Sequence, residues 1–146
     1  SDILNLYAGR NDGLILIVED DIATSRLYER GIGQMGFATK TVSNGRDALK
    51  VLAQGQIRLV VTDLKMPDVD GFELVEAVSQ MPPALRPPVI VVTGKILRED
   101  EAALLAGKIV QLLPKRGLSP RMLVSNIAGI FGRGSATPMT FSGETA

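Results

Sequence analysis

Ile57-Arg58-Leu59-Val60-Val61-Thr62-Asp63-Leu64-Lys65-Met66-Pro67-Asp68-Val69-Asp70-Gly71 is the stretch on which the fold turns. Residues 57–62 are mainly aliphatic and β-branched, without polar alternation, the pattern of a strand covered on both faces. The run stops at an acid, Asp63. The loop after it carries Pro67 and Gly71, which interrupt regular structure. Leu74, Val75 and Val78 then share one helical face.

The same strand, polar stop and helix recur on either side. Leu14 to Val18 reads as a first strand ending at Glu19-Asp20-Asp21. Between Ile22 and Met35 the residues Thr24, Tyr28, Ile32 and Met35 fall on one helical stripe. Phe37 to Val42 is a second strand, Ser43-Asn44-Gly45 a capping segment, and Ala48, Val51 and Leu52 a second helical face. After Pro82, Pro83, Pro87 and Pro88, the pattern predicts a fourth strand at Val89 to Val92 and a fourth helix at Leu97 to Ala106. A fifth strand at Ile109 to Leu113 and a fifth helix with the stripe Leu123, Ile127 and Ile130 complete it. Strict alternation with apolar strands predicts an α/β fold, a flavodoxin-like (βα)5 three-layer sandwich around a parallel sheet. Residues 13–132 are expected to form this domain. The Gly, Ser, Thr and Pro of 133–146 and the aperiodic 1–12 read as flexible ends.

Composition narrows the chemistry. The chain has 146 residues, enough for one core. Its 16 basic and 16 acidic side chains leave no net positive field, so no direct nucleic-acid contact is expected. No apolar run approaches the roughly 20 residues that span a bilayer, and no membrane contact by this chain is expected. With no Cys, disulfides and thiolate sites are excluded, and a cytoplasmic location is the simplest expectation. With no His, a Ser-His-Asp triad and imidazole ligands are excluded too. Carboxylates must carry whatever chemistry there is.

In open α/β sheets the functional crevice lies beyond the carboxyl ends of the strands. Strand one delivers Glu19, Asp20 and Asp21 there, strand three Asp63, strand four Thr93 and strand five Lys115. Clustered carboxylates repel one another in a low dielectric, which a hard divalent cation relieves. Magnesium, or manganese, suits an all-oxygen set of two carboxylates, a backbone carbonyl and waters, with Asp20 and Asp63 as direct ligands. Lys115 can keep Asp63 ionised and meet a phosphoryl oxygen, with the Thr93 hydroxyl nearby.

The segments Ile15 to Asp21, Val60 to Gly71, Val91-Val92-Thr93-Gly94 and Leu113-Pro114-Lys115 resemble, in order, the four signatures of two-component response-regulator receiver domains. The resemblance covers about residues 14 to 131. It implies a sheet of strand order 2-1-3-4-5, and magnesium-dependent transfer of a phosphoryl group from a phosphohistidine to Asp63. The donor would be a histidine kinase or a histidine phosphotransfer protein. By position, Glu19 and Asp20 are the acidic pair, Asp63 the nucleophile, the Lys65 carbonyl a metal ligand, Thr93 the switch hydroxyl and Lys115 the phosphoryl-binding lysine. Output would pass through the face of the fourth helix, fifth strand and fifth helix. Self-phosphorylation and loss of the phosphate at Asp63 would be the only chemistry of the isolated domain. Residues 105–117 look like receivers fused to hybrid sensor kinases.

Two positions depart from the family pattern. Leu112 stands where receivers carry Tyr or Phe, and Arg116 where proline commonly follows the lysine. A cis peptide at Lys115-Arg116 would cost about 2.5–4 kcal/mol without proline. Lys65 and Lys95, two positions beyond Asp63 and Thr93, are expected to shield an acyl phosphate. Gly31-Ile32-Gly33-Gln34-Met35-Gly36 matches a dinucleotide fingerprint but closes a helix instead of opening one. Asp68 and Asp70 read as turn and cap rather than a calcium loop. Glu99-Asp100-Glu101 reads as an acidic helix start favoured by the macrodipole. The rival functions are a metal-dependent phosphohydrolase, which usually needs an acid where Lys65 stands, and a degenerate receiver acting only as an interaction module.

Overall fold

The computed structural model describes residues 13–132. The two terminal segments expected to be flexible lie outside the described residues. Eleven elements follow in chain order: β1 (Leu14–Val18), α1 (Ile22–Gln34), β2 (Thr39–Val42), α2 (Gly45–Gln54), β3 (Ile57–Thr62), α3 (Gly71–Ser79), a 3-10 turn (Pro83–Leu85), β4 (Val89–Thr93), α4 (Glu99–Leu105), β5 (Gln111–Pro114) and α5 (Pro120–Gly132). The strands form one parallel sheet in the order β2-β1-β3-β4-β5. This is the expected doubly wound topology.

Alternation along each strand builds two cores. Leu16, Val18, Val60 and Val91 face α2, α3 and α4, where Leu52, Leu74, Val78 and Leu105 meet them. Ile15, Ile17, Leu59, Val61, Ile90 and Val92 face the other way, onto Tyr28 and Ile32 of α1 and Leu123, Ile127 and Ile130 of α5. Both faces are therefore covered, which is why the inner strands β1, β3 and β4 read as mainly apolar runs. Each fully buried Leu or Ile contributes about 1.5–3 kcal/mol relative to exposure.

Several elements differ in detail from the sequence expectation. The α1 stripe begins at buried Ser25, whose hydroxyl donates to the Ile22 carbonyl, while Thr24 turns to the Asp21 cap. β2 starts at Thr39: Gly36 has φ 93° and Phe37 enters the core before the chain extends. α4 starts at Glu99 and ends at Leu105, because Arg98 is extended and Leu97 packs against the core from the loop. β5 starts at Gln111, since Gly107, with φ 76°, turns the chain and Ile109 is buried ahead of the pairing. A buried apolar residue just outside an element extends the apolar pattern without extending the ladder. The Gly31–Gly36 segment closes α1 and precedes β2, as read.

Candidate functional site

Strand pairing brings the polar strand ends together. Val18 lies opposite Thr62 and Thr93 opposite Pro114, so the chain leaves β1, β3, β4 and β5 on one rim. The Asp63 amide donates to the Val18 carbonyl at 3.3 Å and the Lys115 amide to the Thr93 carbonyl at 2.9 Å. Glu19 therefore stands beside Asp63, and Lys115 beside Thr93.

Lys115 closes the gap between the pairs. Its ammonium lies 2.8 Å from Glu19 Oε1 and 2.9 Å from Asp63 Oδ2. Glu19 Oε2 accepts the Asp21 amide at 3.0 Å, and Asp63 Oδ1 accepts the Leu64 amide at 2.7 Å. Both acids are buried, at 4% and 8% exposure, so each needs these partners. Burial pushes the Glu19 carboxyl above its ordinary value, outweighing the pull of Lys115. Burial alone would lower the Lys115 ammonium; hydrogen bonds to Glu19 and Asp63 overcome it and raise the group above its usual range. One ammonium thus serves two carboxylates.

Local structure holds Asp63 from below. The Thr62 hydroxyl donates to the Asp63 carbonyl at 2.8 Å, and the Gly71 amide to the Leu64 carbonyl at 2.8 Å. A Cβ on Gly71 would fall 2.3 Å from the Asp63 carbonyl oxygen, so only glycine fits there. Asp70 caps α3 reciprocally with Glu73, and Asp68 takes φ 63° in the turn. Asp21 caps α1, accepting the Thr24 amide at 2.9 Å.

Asp63, Thr93 and Lys115 open into one cleft of about 840 Å³, shared with Lys65, Lys95 and Glu101. Asp20 is exposed and enters none of these contacts, and Lys65 is exposed at the mouth. Among the described residues no three acids converge as a ligand group. Glu19 and Asp63 converge on Lys115 instead. Glu101 also lines the cleft, although in the sequence its helix turn reads as solvated acid. It is buried, and its position three residues after Arg98 at the helix start is the one signal that marked it as a cap. Leu112 is half-buried against the core opposite Val91. Among the described residues no peptide is cis, Lys115-Arg116 included. A second cavity of about 390 Å³, at the amino ends of the strands, is lined by Arg58, Arg86 and Lys108 and, among the described residues, by no acid. The Arg58 guanidinium there lies 5.1 Å from the Phe37 ring and 4.8 Å from the Phe131 ring, a cation–π position.

Fold and site together define a doubly wound (βα)5 domain with buried acids, a lysine and a hydroxyl at the carboxyl ends of its strands. The response regulator receiver domain family model matches residues 15–128, and the chain belongs to that family. It is 35% identical over 105 residues to the sensor histidine kinase RcsC of Escherichia coli K12, covering 72% of this chain and 11% of that protein. The chain thus spans about a tenth of the length of such relatives. The signal receiver domain of a histidine kinase from Syntrophus aciditrophicus superposes with a TM-score of 0.73 at 26% identity, covering 89% of this chain and 98% of that one. Chemotaxis response regulator CheY4 of Vibrio cholerae superposes at 0.70 and 21% identity, covering 81% and 98%. The chain is a receiver domain of two-component signalling, a family that works with histidine kinases or phosphotransfer proteins and output domains. Among the described residues no helix is long and apolar enough to cross a membrane.

Proposed function

We propose that Asp63 accepts a phosphoryl group from a phosphohistidine on a partner kinase or phosphotransfer protein. The carrying observation is the buried Asp63 carboxylate at the end of β3, held 2.9 Å from the Lys115 ammonium. In the transfer an Asp63 carboxylate oxygen forms the new bond to phosphorus and the phosphorus–nitrogen bond breaks. The electron pair returns to the imidazole nitrogen. A carboxylate nucleophile needs no general base, so positioning and charge neutralisation suffice. Lys115 meets the transferred oxygens, and Thr93, buried on the neighbouring strand, donates its hydroxyl to one of them.

The donor set fits magnesium or manganese. The rim offers only hard oxygen ligands, and the chain has neither His nor Cys. Asp20, Asp63 and the Lys65 carbonyl would hold the ion, with Glu19 completing the acidic set around it. Two carboxylates, a carbonyl and waters satisfy a magnesium ion without a third direct acid. When bound, the ion neutralises charge on the phosphoryl oxygens.

Residues 13–132 are the receiver unit in this reading, acting in the cytoplasm within a longer sensor kinase. Similarity to receivers of that kind supports the placement. Output passes through α4, β5 and α5. The test is incubation with acetyl phosphate and magnesium followed by intact mass. One added phosphate, labile in acid and absent in Asp63→Asn, supports the assignment. Sustained phosphate release marks a hydrolase, no addition marks an interaction module, and acid-stable phosphate excludes the acyl phosphate.

A further inference from the structure

Glu101 is an acid of the cleft that the proposed transfer leaves unused. It is buried, whereas its neighbours Glu99 and Asp100 in the same first turn of α4 are exposed. Glu101 Oε1 accepts the Arg98 amide at 2.9 Å, and Glu101 Oε2 lies 3.2 Å from the Lys95 ammonium. The Lys95 amide in turn donates to the Thr93 hydroxyl oxygen at 3.1 Å. A chain of contacts therefore runs from Thr93 on the rim, through both ends of Lys95, to the first turn of α4. Lys95 and Glu101 line the same cleft as Asp63 and Lys115.

We propose that Glu101 is a positioning residue whose carboxylate holds the Lys95 ammonium against α4, and that a phosphoryl group on Asp63 competes for that ammonium. The inference rests on phosphoryl transfer to Asp63. A phosphoryl group on a side chain carries about −1.5 to −2 charge near neutral pH against one for a carboxylate, so the newcomer is the stronger anion. When Lys95 turns toward it, Glu101 Oε2 keeps only the longer contact to the Arg98 guanidinium at 3.8 Å, and the Lys95 amide moves with the Thr93 hydroxyl. Charge at Asp63 thereby reaches α4 directly. That route requires no aromatic ring at position 112, where this chain has leucine.

Glu101→Gln separates the pair from the cap, since the amide oxygen still accepts the Arg98 N–H while the charge is lost. In unphosphorylated protein, hydrogen exchange at the Lys95 amide should accelerate. After acetyl phosphate treatment with magnesium, phosphate on Asp63 should persist roughly two- to fivefold longer, the range one partly exposed ion pair supplies. Both effects should vanish in a Lys95→Met background. If Glu101→Gln changes neither quantity, or changes both equally in the Lys95→Met background, the positioning role is wrong. A parent protein that takes up no phosphate overturns the transfer reading instead, while the exchange measurement still reads the ion pair. Lys95→Met alone, at a partly exposed side chain, should shrink the phosphorylation-induced amide shifts of α4; full-sized shifts would also overturn the role.

Discussion

Glu19 and Lys115 show how one pair of side chains couples stability to pH. Burial raises the Glu19 carboxyl in the folded state, so its contribution is fully favourable below its ordinary value of 4.5 and is lost as pH rises through the folded value. Ionised Glu19 is then a cost at neutral pH. Glu19→Gln, which mimics the neutral form, should raise the urea midpoint at pH 7, and the gain should shrink as pH falls toward 4.5. A lower midpoint for the variant at pH 7 would contradict that sign. The acids at strand ends were legible in the sequence because each breaks an apolar run. Glu101 was not, because its burial depends on Lys95 in the preceding loop and on the fold of that loop over α4.

Caps and tight approaches decide the elements. Asn44 accepts the Asp47 amide at 2.8 Å and starts α2, a role that Ser43-Asn44-Gly45 announced. Asn44→Ala should cost about 1 kcal/mol, read as a shift in the urea midpoint with an unchanged slope. Gly71 begins α3 where an added Cβ would sit 2.5 Å from Leu64 Cα as well as against the Asp63 carbonyl. Gly71→Ala should cost about 1–3 kcal/mol by overpacking and should slow phosphate uptake at Asp63 by displacing its backbone, measured by urea melts and intact mass over time. The element boundaries near Phe37, Leu97 and Ile109 share one cause. Each is apolar and at least partly buried, yet pays no part in a ladder or helix, so hydropathy cannot distinguish it from its neighbours.

At the scale of the molecule, the sheet separates two cores that touch different helices. Leu74 lies in one and Ile127 in the other. Leu74→Ala should cost about 2–5 kcal/mol and Ile127→Val about 0.5–1.5 kcal/mol. With no shared packing partners, the double variant should match the sum within about 0.5 kcal/mol by denaturant unfolding. A larger deviation would mean that the sheet transmits repacking between its faces. The sequence by itself determined the order of βα units, the apolar cores and the acids that end the strands, because these follow from local periodicity and its interruptions. Only the tertiary structure decided that Lys115 bridges Glu19 and Asp63 while Asp20 stays outside, and that Glu101 joins the cleft. The register of β1 against β3 and the path of the loop after β4 set those distances, and both arise from contacts between residues far apart in the chain.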